Sequence, residues 1–260
     1  MKTKIKQFLI TFLGQEISTW IHAVRFYYLV KTQSYYEIEI ELLNKLNLAN
    51  KVAIDIGANS ANWTIPMANS VGVSGKIFAF EADPYYALAT QKTIKLFDKK
   101  NVFFFSFGLS DKQETLALKI FDNGKRVSGT SRFVEKNVPF DVVSVPVIPL
   151  DNLIDKYPEL LKTSFIKCDV EGFESRVFNG AKKIIETARP IVVSEMNPES
   201  KKNVSNVFGF FKSLDYQAFV VVSSNRIRLS NQSGRISEGE RVNRIFFPKE
   251  YSIPKSIIVE

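Results

Sequence analysis

The stretch Val52-Ala53-Ile54-Asp55-Ile56-Gly57-Ala58-Asn59 constrains this chain more than any other. Val52, Ala53 and Ile54 read as a buried parallel strand ending in an acid and a small-residue turn. In open α/β sheets, ligands bind in the crevice outside the carboxyl ends of the strands. A glycine there lets the main chain come close to a ligand, because no Cβ stands in the way. The stretch therefore predicts a nucleotide-like ligand at the end of the first strand.

From Val52 onward, apolar runs and helical patterns alternate, which predicts parallel pairing in a doubly wound α/β sheet. Strand one is 52–56, with a helix from near Asn62. Strand two is 76–80, followed by a helix over 86–97 and strand three over 102–107. The alternation then lapses. Residues 115–121 and 140–148 read as strands around a polar, glycine-containing stretch (122–137), a β-hairpin insertion before the fold resumes. Further expectations are a helix over 151–161, strand four over 164–169, a helix over 173–187 and strand five over 190–195. A helix over 204–214 and two closing strands over 218–222 and 244–247 complete the pattern. No repeat or linker interrupts it. The expected division is an N-terminal helical extension over 1–50, including a helix over 37–48, and one Rossmann-like domain over 51–260.

At the N-terminus, Lys2, Lys4 and Lys6 precede an apolar run over 8–13, which superficially resembles the start of a signal peptide. The run is short, Gln15 and Glu16 interrupt it, and no small-residue cleavage site follows. Nothing approaches the roughly 20 apolar residues of a membrane span. Ile17, Trp20, Ile21, Val24, Tyr27 and Tyr28 then recur at helical spacing. One reading is a helix that caps the domain or pairs with a second copy in a homodimer. The other is a basic amphipathic helix resting on a membrane surface.

The net charge of +8 suits anionic partners, but the basic residues are scattered and form no arginine-rich stripe. They read as a solvated basic surface, and no nucleic-acid partner is expected. Cys168, the single cysteine, excludes an intrachain disulfide and fits a cytoplasmic location. Its apolar flanks make it a packed side chain rather than a nucleophile. His22, the single histidine, excludes a His-rich metal centre, and lies far in sequence from any serine elbow.

The acids at strand ends carry the chemistry. Asp55 ends strand one, Glu81 strand two and Glu195 strand five, while Asp169 and Glu171 flank the end of strand four. An acid at the end of strand two suits hydrogen bonds from vicinal ribose hydroxyls and repels a 2′-phosphate. After Gly57 come Ala58, Asn59, Ser60, Ala61 and Asn62, without G-x-G-x-x-G spacing and without a P-loop Lys-Ser/Thr. That pattern disfavours a dinucleotide or a triphosphate. It favours a nucleoside without phosphates, of which S-adenosylmethionine is the common cofactor.

Five ordered blocks carry a family resemblance. They are Asp55–Ala61, Ala79–Pro84, Leu109-Ser110-Asp111, Pro149-Leu150-Asp151-Asn152-Leu153, and Ile166–Glu174 followed by Val177-Phe178-Asn179-Gly180-Ala181. Together they resemble the FkbM-type branch of the class I S-adenosylmethionine-dependent methyltransferases. Ala61 stands where the family has glycine, Ala82 where it has proline and Pro149 where it has threonine. The resemblance implies a Rossmann-like, doubly wound mixed seven-stranded sheet with N-terminal helices and the hairpin insertion between strands three and four. It implies S-adenosyl-L-methionine as cofactor. Gly57, Ala58 and Asn59 would line its methionine end, with Asp55 organising the loop and Asn62 and Trp63 walling the pocket. Glu81, beside Ala82, would hold the ribose. Leu109 and Ser110, with Asp111, would lie near the adenine. Asp169, Val170 and Glu171 would face the sulfonium and the acceptor.

The acceptor expected is a hydroxyl of a sugar, glycan or small metabolite, with Glu171 as base and Asp169 as a positioning group. The plainer reading of Glu171 is an acid favoured by the dipole at a helix entry. A divalent cation bridging Asp169, Glu171 and Glu195 is chemically conceivable, but the spacing is not diagnostic and no metal is assigned. Methyl transfer to nitrogen or nucleic acid is the competing enzymatic reading, against which no N/D-P-P-Y block is present. A non-catalytic cofactor-binding protein is the reading from another class. Residues 127–132 of the insertion are expected to close over the acceptor.

Overall fold

The computed structural model describes residues 2–32, 34–35, 37–122, 125–126, 131–134, 142–223, 226–230, 243–254 and 258–259. For residues 2–13, 121–122, 125–126 and 259 only the main chain is described. The chain starts with a long helix, α1 (Lys2–Lys31), interrupted by non-helical backbone at Gly14. The helix expected over 37–48 shrinks to one turn, α2 (Ile40–Leu43). Leu42, Leu43, Leu46 and Leu48 all enter one core cluster, but the last two lie beyond the helix, past a turn at Asn44 and Lys45. Asparagine favours such turns by bonding its own backbone, so apolar spacing alone misread the segment.

The sheet opens with β1 (Val52–Ile56), α3 (Thr64–Val71), β2 (Lys76–Phe80), α4 (Pro84–Leu96) and β3 (Val102–Phe105). All five residues of β1 are buried, as expected for a parallel strand covered on both faces. Asp83 caps α4 by accepting from Tyr85 N, and Pro84 occupies its first turn.

The insertion follows: β4 (Gly108–Leu109), β5 (Glu114–Lys119), β6 (Phe121–Asp122), β7 (Lys125–Arg126), β8 (Arg132–Val134) and β9 (Val142–Ile148). β5 and β9 form the expected antiparallel hairpin. β8 adds to β5 and β4 to β9, giving a four-stranded sheet. Of the segment expected to close over the acceptor, residues 127–130 lie outside the described residues.

The helix expected over 151–161 is instead two 3-10 turns, Leu150–Leu153 and Pro158–Lys162. Pro158 has no N–H to donate and drives Tyr157 out of the α region, to φ −132° and ψ 72°. β10 (Thr163–Cys168) follows. The helix expected over 173–187 splits into α5 (Glu174–Asn179) and α6 (Lys182–Ala188). Gly180 sits at the break, where a Cβ would lie 1.9 Å from the Ser110 carbonyl oxygen. The rest is β11 (Ile191–Glu195), α7 (Lys201–Ser213), β12 (Tyr216–Ser223), β13 (Arg226–Leu229), β14 (Asn243–Pro248) and β15 (Ile258–Val259).

The main sheet runs β15-β13-β12-β14-β11-β10-β1-β2-β3. From β3 to β11 the pairing is parallel, while β14 is antiparallel to both β11 and β12. These seven strands are the expected mixed sheet, and β13 and β15 extend it. Alternation along each strand feeds two cores: Ile54, Ile56, Phe78 and Phe80 face one, Ala53, Ile77 and Ala79 the other. Strand order reverses between β1 and β10, which opens a crevice at their carboxyl ends. Among the described residues no helix is long and apolar enough to cross a membrane.

Candidate active site

β1 and β10 end side by side, and the turn after β1 is shaped by their contact. Gly57 has φ 81°, and a Cβ on it would lie 1.9 Å from the Asp169 carbonyl oxygen. Only glycine fits there. The N–H groups of Gly57 and Ala58 both donate to the Phe80 carbonyl, at 3.0 and 2.9 Å. Asn59 N donates to Glu81 Oε2 (2.7 Å), and Asp83 N donates to Glu81 Oε1 (2.8 Å). The Thr90 hydroxyl donates to the Asn59 carbonyl. Two main-chain donors thus fix the Glu81 carboxylate, while burial pushes its pKa up to about 8. Beneath the turn, Asp55 accepts from Thr64 Oγ1 at 2.5 Å. Burial raises its pKa to about 6, and that hydrogen bond opposes the shift.

A cavity of about 660 Å3, open mouth included, lies over these strand ends. Of the residues singled out in the sequence, Gly57, Asn59, Glu81, Ala82, Leu109, Asp169, Val170 and Glu171 line it. Asp55, Ala58 and Ser110 are buried and are not among its lining residues. Asn62 is also set back from it, and its buried Oδ1 has no hydrogen-bond partner. Trp63 belongs to a different environment: Nε1 donates to Glu37 Oε2 at 2.6 Å and the ring stacks on Phe165. Asp111 binds Arg176 Nε at 2.6 Å. Despite partial burial, hydrogen bonds from Arg176 and Ser110 hold its carboxyl below the usual range.

Sequence reasoning missed Tyr86, Phe107 and Phe133, which also line the cavity, as does Ser131 of the segment expected to close over the acceptor. Ser131 Oγ donates to Asp83 Oδ2 at 2.8 Å, and the Phe133 ring packs 4.6 Å from Phe173. The insertion sheet therefore leans on the cavity through β8. Short-range pattern gives no signal for this, because β8 reaches the site only through pairing with β5.

A second cavity, of about 400 Å3, is lined by Asp169, Glu171, Glu174, Glu195, Met196, Asn197 and Pro198. Asp169 and Glu171 border both cavities. Glu171 has φ 53°, a region that costs a non-glycine residue about 1–2 kcal/mol. Its pKa rises to about 7 through burial and then through Asp169 and Glu174, with Arg132 and Lys167 opposing. The helix-entry acid is Glu174, in the first turn of α5, not Glu171. Glu174 Oε1 accepts from Gly172 N at 3.1 Å and Oε2 from Asn203. Glu195 is raised to about 8, by burial first and then by Asp169.

Among the described residues no group of three His, Cys, Asp or Glu side chains is placed to hold a metal ion. Cys168 is fully buried in β10, and burial pushes its thiol pKa well up, away from nucleophilic use. His22, remote in sequence, does reach a serine: its Nε2 lies 2.6 Å from Ser60 Oγ. That hydroxyl also donates to Asn59 Oδ1 and is buried, so the contact braces the loop.

A doubly wound sheet whose cavity sits at its order reversal, with an acid held at the end of the second strand, defines a class I methyltransferase architecture. The chain belongs to the methyltransferase FkbM domain family, whose sequence model matches residues 55–218. Among solved structures, it is similar to the methyltransferase FkbM from Methylobacillus flagellatus, with a TM-score of 0.53 at 16% identity. That match covers 90% of this chain and 55% of the other, so the chain spans little more than half of that relative. A candidate O-methyltransferase from Klebsiella pneumoniae gives a TM-score of 0.50 at 13% identity, covering 95% of this chain and 96% of the other. A candidate rRNA methylase from Clostridium thermocellum also gives 0.50, at 11% identity, covering 80% and 90%. No curated protein matches the sequence significantly.

Proposed function

We propose that this chain binds S-adenosyl-L-methionine in the cavity lined by Gly57, Glu81 and Leu109. It transfers the methyl group to a hydroxyl oxygen of a sugar, glycan or small metabolite held in the cavity lined by Glu174, Glu195 and Asn197. The observation that carries the reading is the Glu81 carboxylate. Each of its oxygens accepts one main-chain hydrogen bond and keeps a further lone pair for a ribose hydroxyl. Those hydroxyl donors favour the ionised carboxylate, so cofactor binding would draw the raised Glu81 pKa back down.

The other residues fit the same ligand. The main chain from Gly57 to Asn59 borders the cavity and is placed to meet the methionine end. Phe107, Leu109 and Phe133 supply apolar surface for a purine. When bound, the cofactor supplies an electrophilic methyl carbon on a sulfonium. Glu171, with a pKa of about 7 and a place in both cavities, accepts the proton of the acceptor hydroxyl. Asp169 holds the acceptor in line between the cavities.

Calorimetry with S-adenosylmethionine tests the cofactor, and release of S-adenosylhomocysteine across a panel of hydroxyl acceptors tests the reaction. Glu171→Gln is expected to slow turnover about 100-fold while cofactor affinity stays within about threefold. Equal loss of both would assign Glu171 a structural role.

A further inference from the structure

Helix α1 has two faces with apolar side chains, and the fold uses one of them. Ala23 and Phe26 are buried against the domain, together with Ser18 and Thr19. The Tyr27 ring centre lies 4.8 Å from that of Phe97, at the end of α4, and Phe26 meets Tyr35 edge-on at 5.3 Å. On the opposite side, Ile17, Ile21, Val24 and Tyr28 are 51%, 40%, 39% and 63% exposed. Their spacing of four, three and four residues aligns them in one stripe along the helix. They are four of the nine exposed large apolar side chains among the described residues, so exposure is concentrated on this face. Apolar residues scattered singly over a surface are ordinary, whereas a contiguous row marks a contact face.

Charge decides what that face meets. Residues 1–31 hold Lys2, Lys4, Lys6, Arg25 and Lys31 against one acid, Glu16. Glu16 is already paired, with its carboxylate 2.8 Å from Lys92 of α4. Arg25, four residues after Ile21, and Lys31, three after Tyr28, are both exposed and flank the stripe. A second copy of the chain would set a like-charged helix against this one. An anionic bilayer surface is complementary on both counts, since its acyl boundary takes the apolar row and its headgroups take the cations. Tyr28 suits that depth, with an apolar ring and a polar tip. Among the described residues no helix is long and apolar enough to span a bilayer, which leaves contact along the surface.

We propose that α1 is a docking surface for an anionic lipid bilayer, with Ile17, Ile21, Val24 and Tyr28 entering the headgroup boundary. The buried face stays on the domain, so docking requires no unfolding of α1. Docking of this kind is independent of the reaction in the crevice, and its test needs neither cofactor nor acceptor.

Co-sedimentation of the full chain with lipid vesicles is that test. Phosphatidylcholine vesicles containing about one-third phosphatidylglycerol should bind at least about tenfold more tightly than phosphatidylcholine alone. Raising salt from about 0.05 to about 0.5 M should weaken that binding about tenfold. Equal affinity for the two kinds of vesicle, or no binding to either, would overturn the proposal. Ile21→Asp/Tyr28→Asp alters only exposed positions and should lower binding to the anionic vesicles at least about tenfold, with the thermal midpoint nearly unchanged. Ile21→Ser/Tyr28→Ser removes apolar surface without adding negative charge, and should still lower binding at least about threefold. Undiminished binding in either folded variant would overturn the assignment of the stripe. Sedimentation equilibrium reads the competing occupant. A wild-type dimer that the Asp pair dissociates, in a protein that ignores both kinds of vesicle, would give the stripe to a second copy and overturn the bilayer as its partner.

Discussion

The two edges of the crevice are built from the same kind of residue in opposite ways. At the ends of β1 and β2, Glu81 stands within reach of main-chain donors, and a hydroxyl from Thr90 steadies the same turn. At the ends of β10 and β11, Asp169, Glu171, Glu174 and Glu195 crowd one cavity, and one buried ammonium lies beneath. The first edge is shaped before any ligand arrives, which suits a ligand held the same way at every turnover. The second gathers several carboxylates around one cavity, which suits a step in which a proton must move. Acid count alone does not distinguish them. What differs is the company: two main-chain donors fix Glu81, while Asp169, Glu171 and Glu195 stand among other carboxylates.

The largest effect is expected where the two edges touch. Gly57→Ala would drive a Cβ into the Asp169 carbonyl at a positive φ. Overpacking and backbone strain together should cost about 3 kcal/mol or more in chemical denaturation. Wild-type stability in that variant would show that the edges are not packed as described. Next, Glu81→Ala should weaken S-adenosylmethionine binding roughly 10- to 100-fold, the loss of charge-assisted hydrogen bonds, with the circular dichroism spectrum unchanged. Unaltered affinity would mean that the first edge does not grip the ribose.

A smaller effect is common to both edges and is read by pH. Glu81, Glu171 and Glu195 have folded pKa values of about 8, 7 and 8, raised from 4.5 mainly by burial. Their contribution to stability is therefore complete below the unfolded pKa and is lost as pH rises through the folded values. The thermal midpoint of the unliganded protein should fall between about pH 6 and about pH 9. Glu195→Gln should flatten part of that fall, and an undiminished slope would take Glu195 out of the explanation. The smallest effect concerns Ala61, at φ 69° where the family has glycine. Ala61→Gly should stabilise the chain by up to about 1 kcal/mol, the relief of a left-handed residue less the entropy of glycine. Destabilisation would show that the loop is held by contacts of the methyl group.

The sequence carried the strands well, because β1, β2 and β10 are short apolar runs closed by an acid or a turn. It also placed Gly57, Glu81 and Asp169 together, since their positions follow from where parallel strands end. Helices were harder to read. Pro158 and Gly180 broke two of them for reasons of donor loss and close backbone approach, and apolar spacing does not register either. Trp63 lies next to the loop in sequence, yet its partners are Glu37 and Phe165. Lys167 is a charged residue buried inside a recognised block. Its burial follows from covering both faces of β10, a property of the assembled sheet.

Helix α1 precedes the segment that the family model matches, yet it is fastened to it. Ser18 bonds Tyr85 at 2.9 Å, Lys92 bonds Thr19 at 2.6 Å, and His22 bonds Ser60 within the loop after β1. A region outside the shared block thus braces a loop inside it. Two relatives with identical blocks but different leading helices would hold that loop with different stiffness. Alignment scores confined to the block would rate them equal, and thermodynamic comparison of their ligand affinities would not.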